Sequence, residues 1–169
     1  MRPIERVNDF VVKFANVNGS GSASANGLFA RAVLRMGVPV AARNIFPSNI
    51  QGMPTWYEVR VVEAGWRGRR GGVDLMVAMN PETWTADVAE IEPGGCLLYD
   101  ATKPITKERV RADVTAIGVP LTALCHEAFT DARQRQLFKN IAYLGSLASL
   151  LSIDPGVVET MLVEQYKGK

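Results

Sequence analysis

The residues with the clearest chemical potential lie in a glycine- and serine-rich segment near the start of the chain. The small residues of this segment are Gly19, Ser20, Gly21, Ser22 and Ala23. An apolar run at 10–15 precedes them, and apolar residues at helical spacing follow. Glycine permits a left-handed backbone, and the amides that begin a helix favour an anion. The pattern predicts a strand, an anion-binding loop and a helix. The same pattern also fits a tight turn between a strand and a helix that binds no ligand.

This loop meets only part of the fingerprint of dinucleotide-binding proteins. The fingerprint needs G-x-G-x-x-G and an acidic residue about 20 residues later. Gly19 and Gly21 fit, but Ser24 takes the third position, and no Asp or Glu occurs between Ser24 and Val40. Arg43, which follows a predicted strand at 38–41, suits a 2′-phosphate. A freestanding NADP-dependent reductase is therefore kept as an alternative.

Cysteine and histidine are too scarce for a metal site built from this chain alone. Cys96 and Cys125 form no C-x-x-C motif, and His126 is the only histidine. A structural zinc site or an iron–sulfur cluster usually needs four such ligands. We expect Cys125 in the core and His126 at the start of a helix. No catalytic and no metal-binding residue is predicted.

Composition narrows the class of protein. The 169 residues fit one domain, and the hydrophobic share of 47% with a charged share of 21% is typical of a globular protein. A net charge of +2, spread along the chain, argues against a nucleic-acid partner. The longest apolar segment, 141–153, is too short to span a membrane. With no secretory signal visible, we expect a cytoplasmic protein.

Strand-like and helix-like segments alternate along the chain. This alternation predicts an α/β fold: a three-layer Rossmann-like domain with a mostly parallel sheet and C-terminal helices. The predicted strands lie at 10–15, 38–41, 57–62, 73–79, 96–99 and 114–119. The predicted helices lie at 22–36, 81–91, 131–151 and from 154 onwards, with a long loop at 43–54 and a turn at 93–95.

A second distinctive segment, at 43–60, reads RNIFPSNIQGMPTWYEVR. Together with residues 18–26, it closely resembles the gamma domain of 2-oxoacid:ferredoxin oxidoreductases. The nearest form is the one fused to the front of the alpha subunit of 2-oxoglutarate:ferredoxin oxidoreductase. Further similar segments lie at 73–80, 92–95, 99–100 and 120–122. The resemblance runs from Val7 to the last residues, so 1–169 is expected to be a single gamma-type domain, a fragment or module of a larger enzyme.

The resemblance implies a role in decarboxylating a 2-oxoacid on thiamine diphosphate, with electrons passing through iron–sulfur clusters to ferredoxin and acyl-CoA as the product. Thiamine diphosphate, Mg and 4Fe–4S clusters would be held elsewhere, by the thiamine-binding alpha domain and the beta subunit. The isolated chain would be inactive. This chain would contribute to coenzyme A binding through the glycine–serine loop, with Arg43 and the loop residues Asn49, Gln51 and Gly52 beside it.

Other candidate residues have two interpretations. Asp100 and Lys103 follow a predicted strand and are either site-edge residues or turn formers. The basic segment at 66–72 is more typical of a solvated hairpin than of a phosphate site. A third functional hypothesis is a non-catalytic module that docks on a larger enzyme and binds nothing small.

Overall fold

The computed structural model describes residues 7–47 and 49–167. Within them, strands and helices alternate as the α/β prediction requires. The strands are β1 (Asp9–Val17), β2 (Val40–Ile45), β3 (Pro54–Val62), β4 (Val73–Ala78), β5 (Ile91–Asp100) and β6 (Thr115–Val119). The helices are α1 (Ser22–Arg35), α2 (Trp84–Ala89), α3 (Leu121–Ala128), α4 (Ala132–Leu150) and α5 (Pro155–Tyr166).

The strands form one six-stranded sheet in the order β2-β3-β1-β4-β5-β6. Strands β1, β4, β5 and β6 are parallel neighbours, whereas β3 runs antiparallel to both β1 and β2. The α/β fold with a mostly parallel sheet and C-terminal helices is confirmed. Because β3 inserts beside β1, strand β2 lies at the sheet edge, two positions from β1.

The order of the strands creates a switch point between β1 and β4. The chain leaves β1 towards β2 and β3 on one side, and later enters β4 on the other side. The connections that leave the carboxyl ends of β1 and β4 therefore diverge and leave a crevice. Ligands of open α/β sheets bind in such a crevice.

Helices cover the two faces of the sheet unequally. Phe14 and Val77 pack with α1, α3, α4 and α5, and this face holds the larger buried cluster. Met76 and Leu97 on the opposite face pack against Trp84 and Val88 of α2. The sheet thus forms the middle of three layers.

Several local predictions were wrong. Strand β2 continues to Ile45, so Arg43 lies inside it, and the connection to β3 covers only residues 46–53. Helix α2 is shorter than the predicted 81–91: it begins at Trp84, because the Asn80 side chain accepts a hydrogen bond from the Glu82 amide (3.0 Å) and forms a turn ahead of the helix, and it ends at Ala89, just before β5. Helix α3 was not predicted, and it places His126 in its last turn rather than at a helix start.

The turn predicted at 93–95 is a bulge inside β5. Pairing with β4 jumps from Val73↔Ile91 to Leu75↔Cys96, which leaves extra residues on β5. Gly94 has a positive φ of 85°. A Cβ on Gly95 would lie 2.8 Å from the Asp74 carbonyl oxygen, so only glycine fits there.

Candidate functional site

The glycine–serine loop, residues 18–21, joins the carboxyl end of β1 to the start of α1. Gly19 and Gly21 have φ values of 85° and 76°, in the left-handed region that favours glycine. Gly21 occupies the N-cap position of α1, where no side chain caps the helix and no acidic residue lies in the first turn. The amides of the first turn can therefore donate to an anion.

Neighbouring elements hold this loop on both sides. On one side, the Asn18 amide donates to the Met53 carbonyl (2.8 Å) and the Gly52 amide donates to the Asn18 carbonyl (2.9 Å). On the other side, Nδ2 of Asn140 in α4 donates to the Ser20 carbonyl (2.9 Å). The loop is thus fixed by hydrogen bonds to the 46–53 connection and to α4.

Two cavities flank the loop. The outer cavity, about 260 Å³, lies between the start of α1 and the strands β2 and β3. The switch-point cavity, about 400 Å³, lies over the ends of β1 and β4 and reaches α4. Predicted site residues that line one or both cavities are Gly19, Ser20, Gly21, Ser22, Ala23, Gln51 and Gly52.

Two predicted site residues are not brought to these cavities. Arg43 points its guanidinium at Glu58, with Nη2 3.0 Å from Oε1 of that buried carboxylate. Asn49 is exposed. Neither residue lines the outer or the switch-point cavity. Arg43 was misplaced because the sequence pattern did not show that β3 separates β2 from β1.

Asn16, which the sequence analysis did not single out, lines both cavities. It is the last fully buried residue of β1, only 3% exposed, and its Nδ2 makes no hydrogen bond with the described residues. The Tyr143 hydroxyl lies nearby and donates to Oδ1 of Asn26 (2.7 Å). Burial raises the pKa of Tyr143, and the neighbouring Asn16 side chain acts in the opposite direction. In the sequence, Asn16 could have been found as a polar residue that directly follows the apolar run of β1.

Lys139 of α4 brings a positive charge to the switch-point cavity. Its Nζ lies 2.8 Å from Oδ2 of Asp100, at the end of β5. Burial acts to raise the pKa of Asp100, but hydrogen bonds from Lys139, Thr102 and Thr122 hold it well below the usual range. Asp100 therefore stays ionised and joins β5 to α3 and α4.

The part of the chain that the structure describes shows neither a metal site nor a membrane span. No group of three or more His, Cys, Asp or Glu side chains there has an arrangement able to hold a metal ion. Within residues 7–47 and 49–167, no helix is long and apolar enough to cross a membrane. Cys125 is buried, as predicted.

Comparison with known proteins gives consistent results. A curated relative, subunit alpha of 2-oxoacid:ferredoxin oxidoreductase 2 from Aeropyrum pernix, is 29% identical over 82 residues, which are 48% of this chain and 13% of the relative. The structure of 2-oxoglutarate:ferredoxin oxidoreductase from Magnetococcus marinus, with 2-oxoglutarate, coenzyme A and succinyl-CoA bound, matches with a TM-score of 0.84 at 24% identity. That match covers 97% of this chain and 28% of the Magnetococcus chain.

Two shorter relatives are covered almost completely. Subunit PORC of pyruvate oxidoreductase from Thermotoga maritima matches with a TM-score of 0.74 at 20% identity, over 95% of this chain and 86% of that one. The gamma subunit of a keto/oxoacid ferredoxin oxidoreductase from Geobacter sulfurreducens matches with a TM-score of 0.71 at 18% identity. This match covers 92% of this chain and 85% of the Geobacter chain. These likenesses show the fold.

The family model described as pyruvate ferredoxin/flavodoxin oxidoreductase matches residues 11–169, nearly the whole chain. The chain therefore belongs to this family, as a gamma-type domain of the 2-oxoacid:ferredoxin oxidoreductases.

Proposed function

We propose that this chain is the coenzyme A-binding domain of a thiamine diphosphate-dependent 2-oxoacid:ferredoxin oxidoreductase that acts on 2-oxoglutarate. The observation that carries the proposal is the position of the glycine–serine loop. It presents the uncapped start of α1 at the switch point of the sheet, between two cavities. The Magnetococcus structure, which contains coenzyme A and succinyl-CoA, supports this choice of ligand.

The residues at the loop fit the two kinds of polar group in coenzyme A. Its pyrophosphate needs N–H donors, which the backbone amides in the first turn of α1 and the ammonium group of Lys139 supply. Its pantetheine arm carries amides, and the side-chain amides of Asn16 and Asn44 in the outer cavity can hydrogen-bond to them. No acidic residue lies in the first turn of α1 to repel the phosphates.

The remaining cofactors are assigned to other parts of the enzyme. Thiamine diphosphate, with Mg, supplies the decarboxylation chemistry when bound, and we place it on the thiamine-binding alpha domain and the beta subunit. Iron–sulfur clusters of the same complex would pass electrons to ferredoxin. The chain itself holds and orients coenzyme A, and we expect the isolated chain to have no turnover.

The geometry of the sheet does not favour NADP binding. In a dinucleotide-binding domain, the residue that contacts the ribose or its 2′-phosphate follows the strand next to β1. Here β2 is separated from β1 by β3, and Arg43 is paired with Glu58.

We expect the chain to bind coenzyme A but not NADP in parallel calorimetric titrations. Binding of NADP alone would favour the freestanding reductase, and binding of neither would favour a docking module.

The decisive experiment replaces Gly21 by alanine in the complete enzyme. Alanine at φ 76° strains the loop by about 1–2 kcal/mol. We expect the KM for coenzyme A to rise on the order of tenfold, equivalent to about 1.4 kcal/mol. CO2 release from 2-oxoglutarate in a single turnover, measured separately, should stay near the wild-type rate, because the loop does not serve that step.

Gly37→Ala is the matched control. Gly37 follows the other end of α1 and also has a positive φ (90°), and a Cβ added to it would meet open space. The two substitutions should therefore destabilise the fold similarly, and only Gly21→Ala should raise the KM for coenzyme A. An equal loss of decarboxylation and acyl-CoA formation in the Gly21 variant would contradict the proposed role of the loop.

A further inference from the structure

A third cavity opens at the carboxyl ends of β4 and β5. Its volume is about 400 Å³, and three cationic side chains, Lys103, Arg109 and Lys139, are among its lining residues. We refer to it as the cationic cavity. Met79 and Lys139 line both this cavity and the switch-point cavity. The two cavities are therefore adjoining parts of one groove along the same edge of the sheet.

Two of the three cations are free to meet a ligand. The charge of Lys139 is balanced by Asp100, 2.8 Å away. Among the described residues, Lys103 and Arg109 make no ion pair, and both are exposed. The cationic cavity thus has an excess of positive charge that the fold itself does not neutralise, which favours an anionic group.

The position of Arg109 is fixed by Trp84. The indole Nε1 donates to the Arg109 carbonyl (2.8 Å), and the guanidinium carbon lies 5.1 Å from the centre of the Trp84 ring. This contact holds the side chain against an aromatic surface and leaves guanidinium N–H groups for an acceptor. Such an arginine suits bidentate contact with a phosphate.

The rest of the cavity wall is apolar. Pro81, Pro104 and Ile105 line it together with Met79. Unpaired cations beside apolar walls match a phosphorylated nucleoside, because the phosphate meets the cations while the flat base covers apolar surface. A ligand that reaches this cavity from the glycine–serine loop must be long enough to extend past Met79 and Lys139.

We propose that the cationic cavity binds the 3′-phosphorylated nucleoside end of coenzyme A, with Lys103 and Arg109 contacting the 3′-phosphate. This inference rests on the proposed function, since it extends the same ligand from the loop into the neighbouring cavity. It also assigns a specificity: the 3′-phosphate distinguishes coenzyme A from dephospho-coenzyme A, which is otherwise identical.

The test measures acyl-CoA formation by the complete enzyme with coenzyme A and with dephospho-coenzyme A. The wild type should have the lower KM for coenzyme A. Lys103→Ala should raise that KM about tenfold, the loss of one charge-assisted contact, and leave the KM for dephospho-coenzyme A within about twofold. The double variant that combines Lys103→Ala with Arg109→Ala should abolish the preference for coenzyme A over dephospho-coenzyme A. Arg67→Ala, at an exposed arginine that lines none of the three cavities, serves as the control and should change neither KM.

A preference for coenzyme A that survives the double substitution would overturn the inference, as would a wild type that has no preference. Gly21→Ala separates this failure from failure of the proposed function. If Gly21→Ala raises the KM for both substrates while the Lys103 and Arg109 variants retain the preference, only the cationic cavity is misassigned. If Gly21→Ala changes neither KM, the proposed function fails and this inference with it.

Discussion

Asn16, for which we propose a role in ligand binding, places a polar group at a position that is costly to the fold. A buried amide without a hydrogen-bond partner destabilises a protein by about 1–3 kcal/mol. The Nδ2 of Asn16 is such a group among the described residues, and Asn16 lines both cavities beside the glycine–serine loop. An apolar residue of similar size would suit the fold better, which is consistent with the ligand-binding role that we propose for this amide.

Replacing Asn16 by alanine should separate binding from stability. We expect the KM for coenzyme A to rise about fivefold, because one hydrogen bond contributes about 1 kcal/mol. The free energy of unfolding should change by less than about 1 kcal/mol, since losing the unpaired amide offsets the lost packing. Enzyme assays and urea unfolding measure the two effects.

Asn26→Ala provides the contrast for this prediction. Oδ1 of Asn26 accepts from the fully buried Tyr143 hydroxyl, so its removal should destabilise the fold by about 1–3 kcal/mol. A similar loss of stability in the Asn16 variant, with no change in the KM for coenzyme A, would make Asn16 a structural residue only.

Asp100 shows how one carboxylate positions several elements. Its Oδ1 accepts from the amides of Thr102 (3.1 Å) and Thr122 (3.3 Å), and its Oδ2 pairs with Lys139. These contacts join β5 to the start of α3 and to α4. Helix α4 in turn holds the glycine–serine loop through Asn140, so Asp100 is linked to the loop through α4.

Because hydrogen bonds lower the pKa of Asp100 in the folded state, its stabilising effect depends on pH. The effect is complete above the unfolded-state pKa, about 3.9, and is lost as the pH falls below it towards the folded-state pKa. Asp100→Asn should therefore cost about 1.5–3 kcal/mol at pH 7, the value of a hydrogen bond to a charged group, and less as the pH falls below about 4. Urea unfolding at a series of pH values measures the difference.

Asp154→Asn is the control, because Asp154 caps α5 through the Gly156 amide (2.8 Å) and asparagine caps a helix equally well. Its stability should follow that of the wild type at neutral pH. A constant difference between Asp100→Asn and the wild type down to about pH 2 would exclude the proposed titration.

At the scale of elements, local signals predicted most of the fold. The strand–loop–helix around Gly19 and Gly21 was predicted because glycine, serine and apolar spacing act over a few neighbouring residues. Likewise, Asp131 and Asp154 mark the starts of α4 and α5, and both side chains cap their helices. The position of Arg43 was missed because it depends on β3 pairing antiparallel with β1, a long-range contact that no local pattern encodes.

At the scale of the whole molecule, exposed apolar side chains lie beside the site. Phe46, Ile50 and Met53, in or next to the connection between β2 and β3, are 57%, 63% and 45% exposed. Phe46 also lines the outer cavity. We expect the thiamine-binding domain to cover this surface, since exposed apolar patches near a site mark interaction surfaces.

Phe46→Asp in the complete enzyme tests this expectation. A charge placed in a covered apolar contact should lower acyl-CoA formation by about tenfold or more and weaken the association between domains, which thermal unfolding of the assembled enzyme measures. Leu34→Asp is the control, at a 54% exposed leucine near the far end of α1. Equal effects of the two substitutions would show that the 46–53 connection has no special role in assembly.

The hydrogen bonds that tie the glycine–serine loop to Met53, Gly52 and Asn140 have a kinetic consequence. A segment already fixed in its receptive shape loses little freedom when a molecule arrives, so no slow rearrangement needs to come first. In rapid-mixing experiments, the observed rate of coenzyme A capture should then increase linearly with its concentration. A plateau would instead reveal an isomerisation of the protein ahead of the encounter.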